Sequence, residues 1–396
     1  MRSLLLSIII TVVVGVTSAT GEETAYVINT TGETLSKIDL ATSIVTNDIL
    51  TLGSDVYCYP NQIVVRDTMA YVVNSGTNEI QVIDLVAEST VGFISTGAGT
   101  NPYWLVFLDA QYFYVTEMLT NSLAKIDATT GEKIAEVEVG ISPEGVLIHD
   151  YKAYVAITAY DFNTYSWGEG KVAVYDIGSD AVMYDISVGT NPQFLARDTS
   201  GRIHVVCTGD YWSAWGMVYV IDPVADVVID SVAVGGSPGQ LTISPDNIAY
   251  LAAGGWVGDG YLYSYDAGSL EVLHGEGNPI YVDYGCTMAV AYADGSCFVG
   301  GFADYVRQID ADGNTMALYA LGDGPAHADF NYKPGDVNGN GETNISDITY
   351  YIDWLFGIPL GSPPPYPKWR ANVNGDGYYN ISDITYLVAY LYGIPT

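Results

Sequence analysis

The sequence predicts an all-β seven-bladed propeller followed by a small all-α domain. Two observations carry this reading. A strand phrase recurs seven times, 40 to 50 residues apart, through the first 330 positions. An oxygen-rich loop of twelve residues then appears twice.

The chain begins "MRSLLLSIIITVVVGVTSATGEE", with a basic residue at Arg2, an apolar run from Leu4 to Val16 and small residues around Ala19. That pattern is expected of a secretory signal peptide over residues 1–19, which gives a secreted, extracellular or cell-surface protein that is not membrane-embedded after cleavage. The alternative is an uncleaved anchor, for which the run is short against the ~20 residues that span a bilayer. The domains expected after it are a propeller over 20–332 and a C-terminal unit over 333–396.

Acidic residues number 46 against 13 basic ones, a net charge of −33. Such a field repels nucleic acid and anionic membranes and favours divalent cations, although a charge excess is usually a solvated surface and that reading comes first. Cys58, Cys207, Cys286 and Cys297 contain no C-x-x-C pair, and both two disulfides and four buried thiols are open.

The recurring phrase reads "AYVIN" at 25, "AYVVN" at 70, "FYVTE" at 113, "AYVAI" at 153, "IHVVC" at 203, "AYLAA" at 249 and "CFVGG" at 297. Each copy leads into an alternating strand that ends in aspartate, such as "SKIDL" and "QVIDL". Pro60, Pro102, Pro143, Pro192 and Pro238 stand 11 or 12 residues before the second residue of five of the copies, and Cys286 takes that place in the seventh. Short alternating runs between Gly, Asn, Asp and Thr predict four antiparallel strands per unit, the size of a propeller blade. The chain starts at a "YV" strand with no proline strand before it, and "GDGPAHADF" supplies a proline strand with no "YV" strand after it. Joining the two closes the ring at seven blades.

Asp39, Asp84, Asp127, Asp176, Asp222, Asp266 and Asp310 end the alternating strands. A ring of metal ligands and a repeated turn are both conceivable, and the constant place after a strand favours the turn.

The connection after the "YV" strand is short in blades 1 to 3 but long and aromatic in blades 4 to 6: "TAYDFNTYSWGEGK", "TGDYWSAWGM" and "AGGWVGDGY". These loops are expected on the face that carries the blade prolines. Tyr160, Phe162, Tyr165, Trp167, Tyr211, Trp212, Trp215 and Trp256 would then form one aromatic wall there, suited to a glycan or a cell-surface protein. The alternative is that the rings pack each loop against its own blade. No sequence signature of catalysis appears: there is no G-x-S-x-G, H-E-x-x-H, P-loop or spaced Cys–His pair. Glu144 and His327 lie beside blade prolines and are the pair that could meet across the mouth, which keeps a polysaccharide lyase or hydrolase as the alternative to a binding protein.

The twelve-residue loop "DVNGNGETNISD" places Asp336, Asn338, Asn340, the Glu342 carbonyl, Asn344 and Asp347 at positions 1, 3, 5, 7, 9 and 12, with Gly341 at position 6. "NVNGDGYYNISD" does the same with Asn372, Asn374, Asp376, the Tyr378 carbonyl, Asn380 and Asp383. Hard oxygens at that rhythm suit calcium, one ion per loop. Behind each loop, Ile348, Ile352, Leu355 and Phe356, then Ile384, Leu387, Val388 and Leu391, repeat at helical spacing.

The phrase "VGTNP…YV…N…I…VID" resembles the YVTN family of seven-bladed propellers over about 25–330, and the paired loop–helix units resemble a type I dockerin over about 335–393. The resemblance implies an all-β seven-bladed propeller with a small all-α calcium-binding dockerin-like domain. It also implies a cohesin-like or other scaffold partner that tethers the protein to a surface or assembly. Partner-reading positions of the family fall on Ile345 with Ser346 and Ile381 with Ser382, where the family's hydroxyl pair is absent. A calcium-stapled cap with no partner is the alternative.

Overall fold

The computed structural model describes residues 23–66, 68–331, 335–338, 343–357, 362, 365, 368–371, 373 and 379–392, with the side chains of 255–258 and 283 left out. Among them, seven sheets form the blades of a ring. Six have four strands, and blade 6 gains a fifth because Ile280–Cys286 pairs back onto Gly255–Asp266. All ladders are antiparallel, as the short alternating runs predict.

The innermost strands run in blade order Pro325–Asn331, Pro60–Arg66, Pro102–Phe107, Pro143–His149, Pro192–Arg197, Pro238–Ile243 and Met288–Ala291. The first of these pairs with Thr24–Asn29, so both ends of the propeller chain build blade 1 and the expected closure is found. The "YV" strands come next and are buried along nearly their whole length, because neighbouring blades cover both of their faces. The outermost strands, such as Lys133–Glu138, alternate between half-buried and exposed.

Seven clusters of buried side chains fill the seven gaps between adjacent blades. Between blades 3 and 4, for example, Tyr114 and Leu123 pack against Val146, Val155 and Tyr175. Fully burying a side chain of this size is worth ~1.5–3 kcal/mol, so each gap contributes several times the effect of a single residue. The gap between blades 7 and 1 is filled like the rest, with Phe298 and Tyr319 meeting Phe330 and Ala328.

Six of the seven innermost strands start with proline, and in each the register slips directly after it. Proline has no N–H for the ladder and is tolerated at the first position of an edge strand. The resulting bulge re-aims the following residue. The inner edge is also an unpaired strand edge, and side chains of the neighbouring blade cap it. Leu105 N donates to Gln62 Oε1 at 2.6 Å, Val65 N to Asp329 Oδ2 at 2.8 Å and Ala289 N to Gln240 Oε1 at 2.9 Å.

The repeated aspartates are turn residues. Asp84 Oδ1 accepts from Val86 and Ala87 N, Asp127 Oδ1 from Thr129 and Thr130 N, and Asp176, Asp222, Asp266 and Asp310 repeat the pattern. All four cysteines are free and buried, which decides between the two alternatives the sequence leaves open.

After the propeller come two helices, α1 (Ile345–Phe356) and α2 (Ile381–Tyr392). They share a core of Val337, Ile348, Tyr351, Ala371, Ile384 and Leu387. Ile352 and Phe356, expected inside from their spacing, are 45% and 56% exposed, and Tyr351 takes the central place. Leu355, Val388 and Leu391 pack at the margin of that core. Arg370, fully buried, ties this unit to the propeller: it donates to Asp336 Oδ2 at 2.7 Å and to Glu23 Oε1 at 3.4 Å, and Glu23 also accepts from the Tyr292 hydroxyl.

Candidate functional site

The candidate site is the face of the ring that carries the blade prolines. Pro143 pairs with Ile157, the last residue before the long connection of blade 4, so the aromatic loops and the bulged residues share one end of the blades. Asn331 and Thr24 pair at the opposite end, so the chain leaves for α1 and α2 from the other face.

The connection of blade 4 folds into its own hairpin, in which Tyr160–Asp161 pairs with Ser166–Trp167. Asp161 Oδ1 accepts from Asn163 N at 2.8 Å, and Ser142 Oγ donates to Tyr160 O at 2.8 Å to fix the hairpin on the proline loop. In blade 5 Asp210 Oδ1 accepts from Trp212, Ser213 and Ala214 N, a turn that holds Tyr211 at a left-handed φ of 66°. The Ser213 hydroxyl and these N–H groups hold the Asp210 carboxyl well below the usual carboxylate range. A left-handed tyrosine is costly and persists where its surroundings over-determine it.

These two loops bring their rings together. Phe162 meets Tyr160 at 4.9 Å between centroids, Tyr160 meets Trp167 at 4.9 Å, and Trp167 meets Tyr211 at 5.7 Å. Tyr211 lies within electrostatic reach of Glu144 and Tyr103. From Tyr103 the row continues to Phe194 at 6.3 Å, then to Trp104 at 5.1 Å, and ends on His327 at 5.0 Å. The row therefore runs from the rim of blade 4 to the centre of the ring. Near the centre a cavity of about 120 Å³ is lined by Tyr103, Trp104, Phe194 and Phe302, with Asn61 and Gln240 as polar corners. A cleft of about 620 Å³ is lined by Trp167 together with Ile141, Glu169 and Asp185.

Of the residues expected to form the aromatic wall, Tyr160, Phe162, Trp167 and Tyr211 do so. Trp212 and Trp215 are 82% and 55% exposed and have no ring contact among the described residues. Tyr165 is exposed at the hairpin tip, and the Trp256 side chain lies outside the described residues. Sequence reasoning missed Tyr103, Trp104 and Phe194. Their signal was position, since each stands one or two residues after a blade proline, where the bulge begins.

Glu144 and His327 do not meet. Among the described residues His327 Nδ1 accepts from Ile63 N at 3.4 Å, its ring lies against Trp104, and it has no contact with Glu144. Burial pushes the His327 imidazole down to about 3, so it stays neutral and caps a strand edge. Burial raises Glu144 to about 8, opposed only by a hydrogen bond from Tyr103, and Glu144 Oε2 has no hydrogen-bond partner. His204 is structural as well: its ring nitrogens face the Tyr265 hydroxyl at 2.8 Å and Asp198 Oδ2 at 3.3 Å in full burial.

For the oxygen-rich loops, Asp336, Asn338, Asn344 and Asp347 of the first and Asn380 and Asp383 of the second are described, while Asn340, Glu342, Asn372, Asn374, Asp376 and Tyr378 lie outside the described residues. Asp347 Oδ1 accepts from Asn338 N at 3.0 Å and Oδ2 from Asn344 N at 2.8 Å, which caps α1. Asp383 Oδ2 accepts from Asn380 N at 2.9 Å in the same way. Asp336 and Asp347 are both buried; burial pushes the Asp347 carboxyl upward, and the nearby Asp336 adds to it. Asp336 is paired with the buried Arg370 and Asp347 with two backbone N–H groups, while carboxylate and amide oxygens are the donor types that a hard cation takes.

No family model and no curated protein matches the chain. Among solved structures, Kuenenia stuttgartiensis hydrazine synthase is similar with a TM-score of 0.57 and 16% identity, over 70% of this chain and 91% of that one. A quinoprotein alcohol dehydrogenase-like protein from Bacteroides thetaiotaomicron VPI-5482 is similar with a TM-score of 0.56 and 17% identity, over 78% of each chain. Likeness at such identity extends to the propeller fold alone.

Proposed function

We propose that this is an exported glycan-recognition protein: the propeller binds a polysaccharide along its aromatic row, and the C-terminal unit, a calcium-binding dockerin-like module, tethers it to a cohesin-like scaffold or a surface. The observation that carries the recognition half is the row Phe162–Tyr160–Trp167–Tyr211, fixed in place by the Asp161 and Asp210 turns. Preorganised rings stack on sugar faces without the ordering cost that mobile loops incur.

Support for the tethering half comes from two features. Asp336, Asn338, Asn344 and Asp347, completed by Asn340 and the Glu342 carbonyl, would hold the first calcium ion; Asn372, Asn374, Asp376, Tyr378, Asn380 and Asp383 would hold the second. When bound, calcium would neutralise the loop carboxylates and fix the turn ahead of each helix. The C-terminal unit also leaves the propeller from the face opposite the aromatic row, so a tether there keeps the row open to solvent.

The test is a polysaccharide panel probed with the full chain in calcium buffer, scored for retention and for released product. Retention that falls about 30-fold in W167A/Y211A, the loss expected for a ~2 kcal/mol anchor, supports recognition. Retention unchanged in that variant sinks the assignment of the row. Released product would make the protein a polysaccharide lyase or hydrolase, with Glu144 as the acid whose proton affinity suits the work.

A further inference from the structure

The cavity at the hub of the ring has a size and a lining that narrow what can enter it. Its volume of about 120 Å³ compares with the ~150 Å³ that holds one benzene in an engineered apolar core, so it takes one six-membered ring and no more. Residues of blades 1, 2, 3, 5, 6 and 7 surround it, so a glycan that enters it does so by its end. Tyr103, Trp104, Phe194 and Phe302 make the wall largely aromatic, with Phe194 packed edge-on to Trp104 at 5.1 Å and tilted against Tyr103 at 6.3 Å. These rings are half-buried, so the cavity opens to solvent.

The wall has two chemical features. Among the described residues no acidic or basic side chain lines the cavity, in a chain whose net charge is −33. A charged group taken in would be desolvated without a partner, and an anionic one would be repelled by the field of the chain as well. The second feature is a spare donor. Gln62 and Gln240 each stand two residues after a blade proline and cap the innermost strand of the next blade. Gln62 uses both ends of its amide, accepting from Leu105 N at 2.6 Å and donating to Leu105 O at 3.1 Å. Gln240 accepts from Ala289 N at 2.9 Å, but its Nε2 has no hydrogen bond among the described residues. Gln240 is 6% exposed and lines the cavity, so its donor is available to an oxygen of a ligand.

We propose that the hub cavity seats one pyranose residue at the end of a neutral glycan, with a hydroxyl or the ring oxygen accepting from Gln240 Nε2 and the apolar face of the sugar against Trp104. This rests on the glycan reading above and narrows it to uncharged polymers held at a chain end. A ring that is apolar on its face and carries oxygens at its edge suits aromatic walls with one buried donor, whereas a purely apolar ligand would leave that donor unmatched.

The experiment is ligand-observed NMR titration of the full chain, in calcium buffer at pH 7, with the methyl pyranosides of glucose, galactose and mannose and with those of the corresponding uronic acids. At least one neutral glycoside is expected to bind, and its uronate at least ~10-fold more weakly. Q240E keeps an acceptor for Ala289 N and removes the donor, and it should weaken the neutral glycoside about 10-fold, the worth of one hydrogen bond. A326L adds volume to the cavity wall and leaves Gln240 in place; it should abolish binding, with a thermal melt to confirm the fold. Binding of no neutral glycoside, uronates bound equally well, or binding that survives A326L overturns the proposal. Polysaccharide retention that depends on Trp167 and Tyr211, with no glycoside bound, overturns it and keeps the glycan reading. Failure of every glycan, polymer and glycoside alike, overturns both.

Discussion

Asp329 offers a test of how the centre of the ring is held together. Its carboxylate accepts from Val65 N across the gap between blades 1 and 2, and burial raises its proton affinity from 3.8 to about 7. The folded value lies above the unfolded one. The stabilisation is therefore fully present below pH 3.8 and is lost as pH rises through about 7. Each unit is worth about 1.4 kcal/mol, and about two units are crossed between pH 5 and 8. Allowing for the partial solvent contact of the side chain, the wild-type protein should lose about 2 kcal/mol more than D329N over that interval. The amide introduced by that substitution keeps an oxygen for Val65 N and carries no titration. For a chain of this size the difference corresponds to roughly 3 °C in Tm. The assay is a set of thermal melts of both full-length proteins at half-unit steps from pH 5 to 8. His327 acts with the opposite sign, since its folded value of about 3 costs stability as pH falls below 6.5, but it is common to both proteins and cancels. Parallel Tm curves for wild type and D329N would refute the burial of a protonated acid at the centre of the ring.

Two further predictions concern the loops. A Cβ on Gly170 would stand 1.9 Å from Gly189 O, where the blade 4 connection crosses the entry to blade 5. G170A should therefore cost ~1–3 kcal/mol and lower Tm by a few degrees, with an unchanged Tm refuting the crossing. In the C-terminal unit, position 1 is Asp336 in the first loop but Asn372 in the second, so calorimetry should find the second calcium site no tighter than the first, with both in the range of extracellular modules. Micromolar or tighter binding at both sites contradicts this.

The sequence alone determined the ring. A phrase repeated seven times carries the strand periodicity, and the missing first proline strand reappears around Pro325, so blade count and closure follow from local pattern. The turn role of the strand-ending aspartates was equally legible, because a side chain bonding two or three residues onward is a local event. Only the tertiary structure decided which rings meet. Tyr211 touches Trp167 of the neighbouring blade, whereas Trp212, the next residue, faces solvent, a difference set by the left-handed turn at Tyr211. Glu144 became a buried acid with one unmatched oxygen because the bulge after Pro143 turned it inward between residues of blades 3 and 5. Its distance from His327 had the same origin, since His327 was taken up by an unpaired strand edge in blade 2. Ile352 and Phe356 went outward because the pairing of α1 with α2 selected Tyr351 as the central contact, and a helical period marks a stripe without naming the neighbour that will cover it. Periodicity belongs to one segment of chain, but burial at the mouth depends on blades far apart in sequence, and only closure of the ring brings them together.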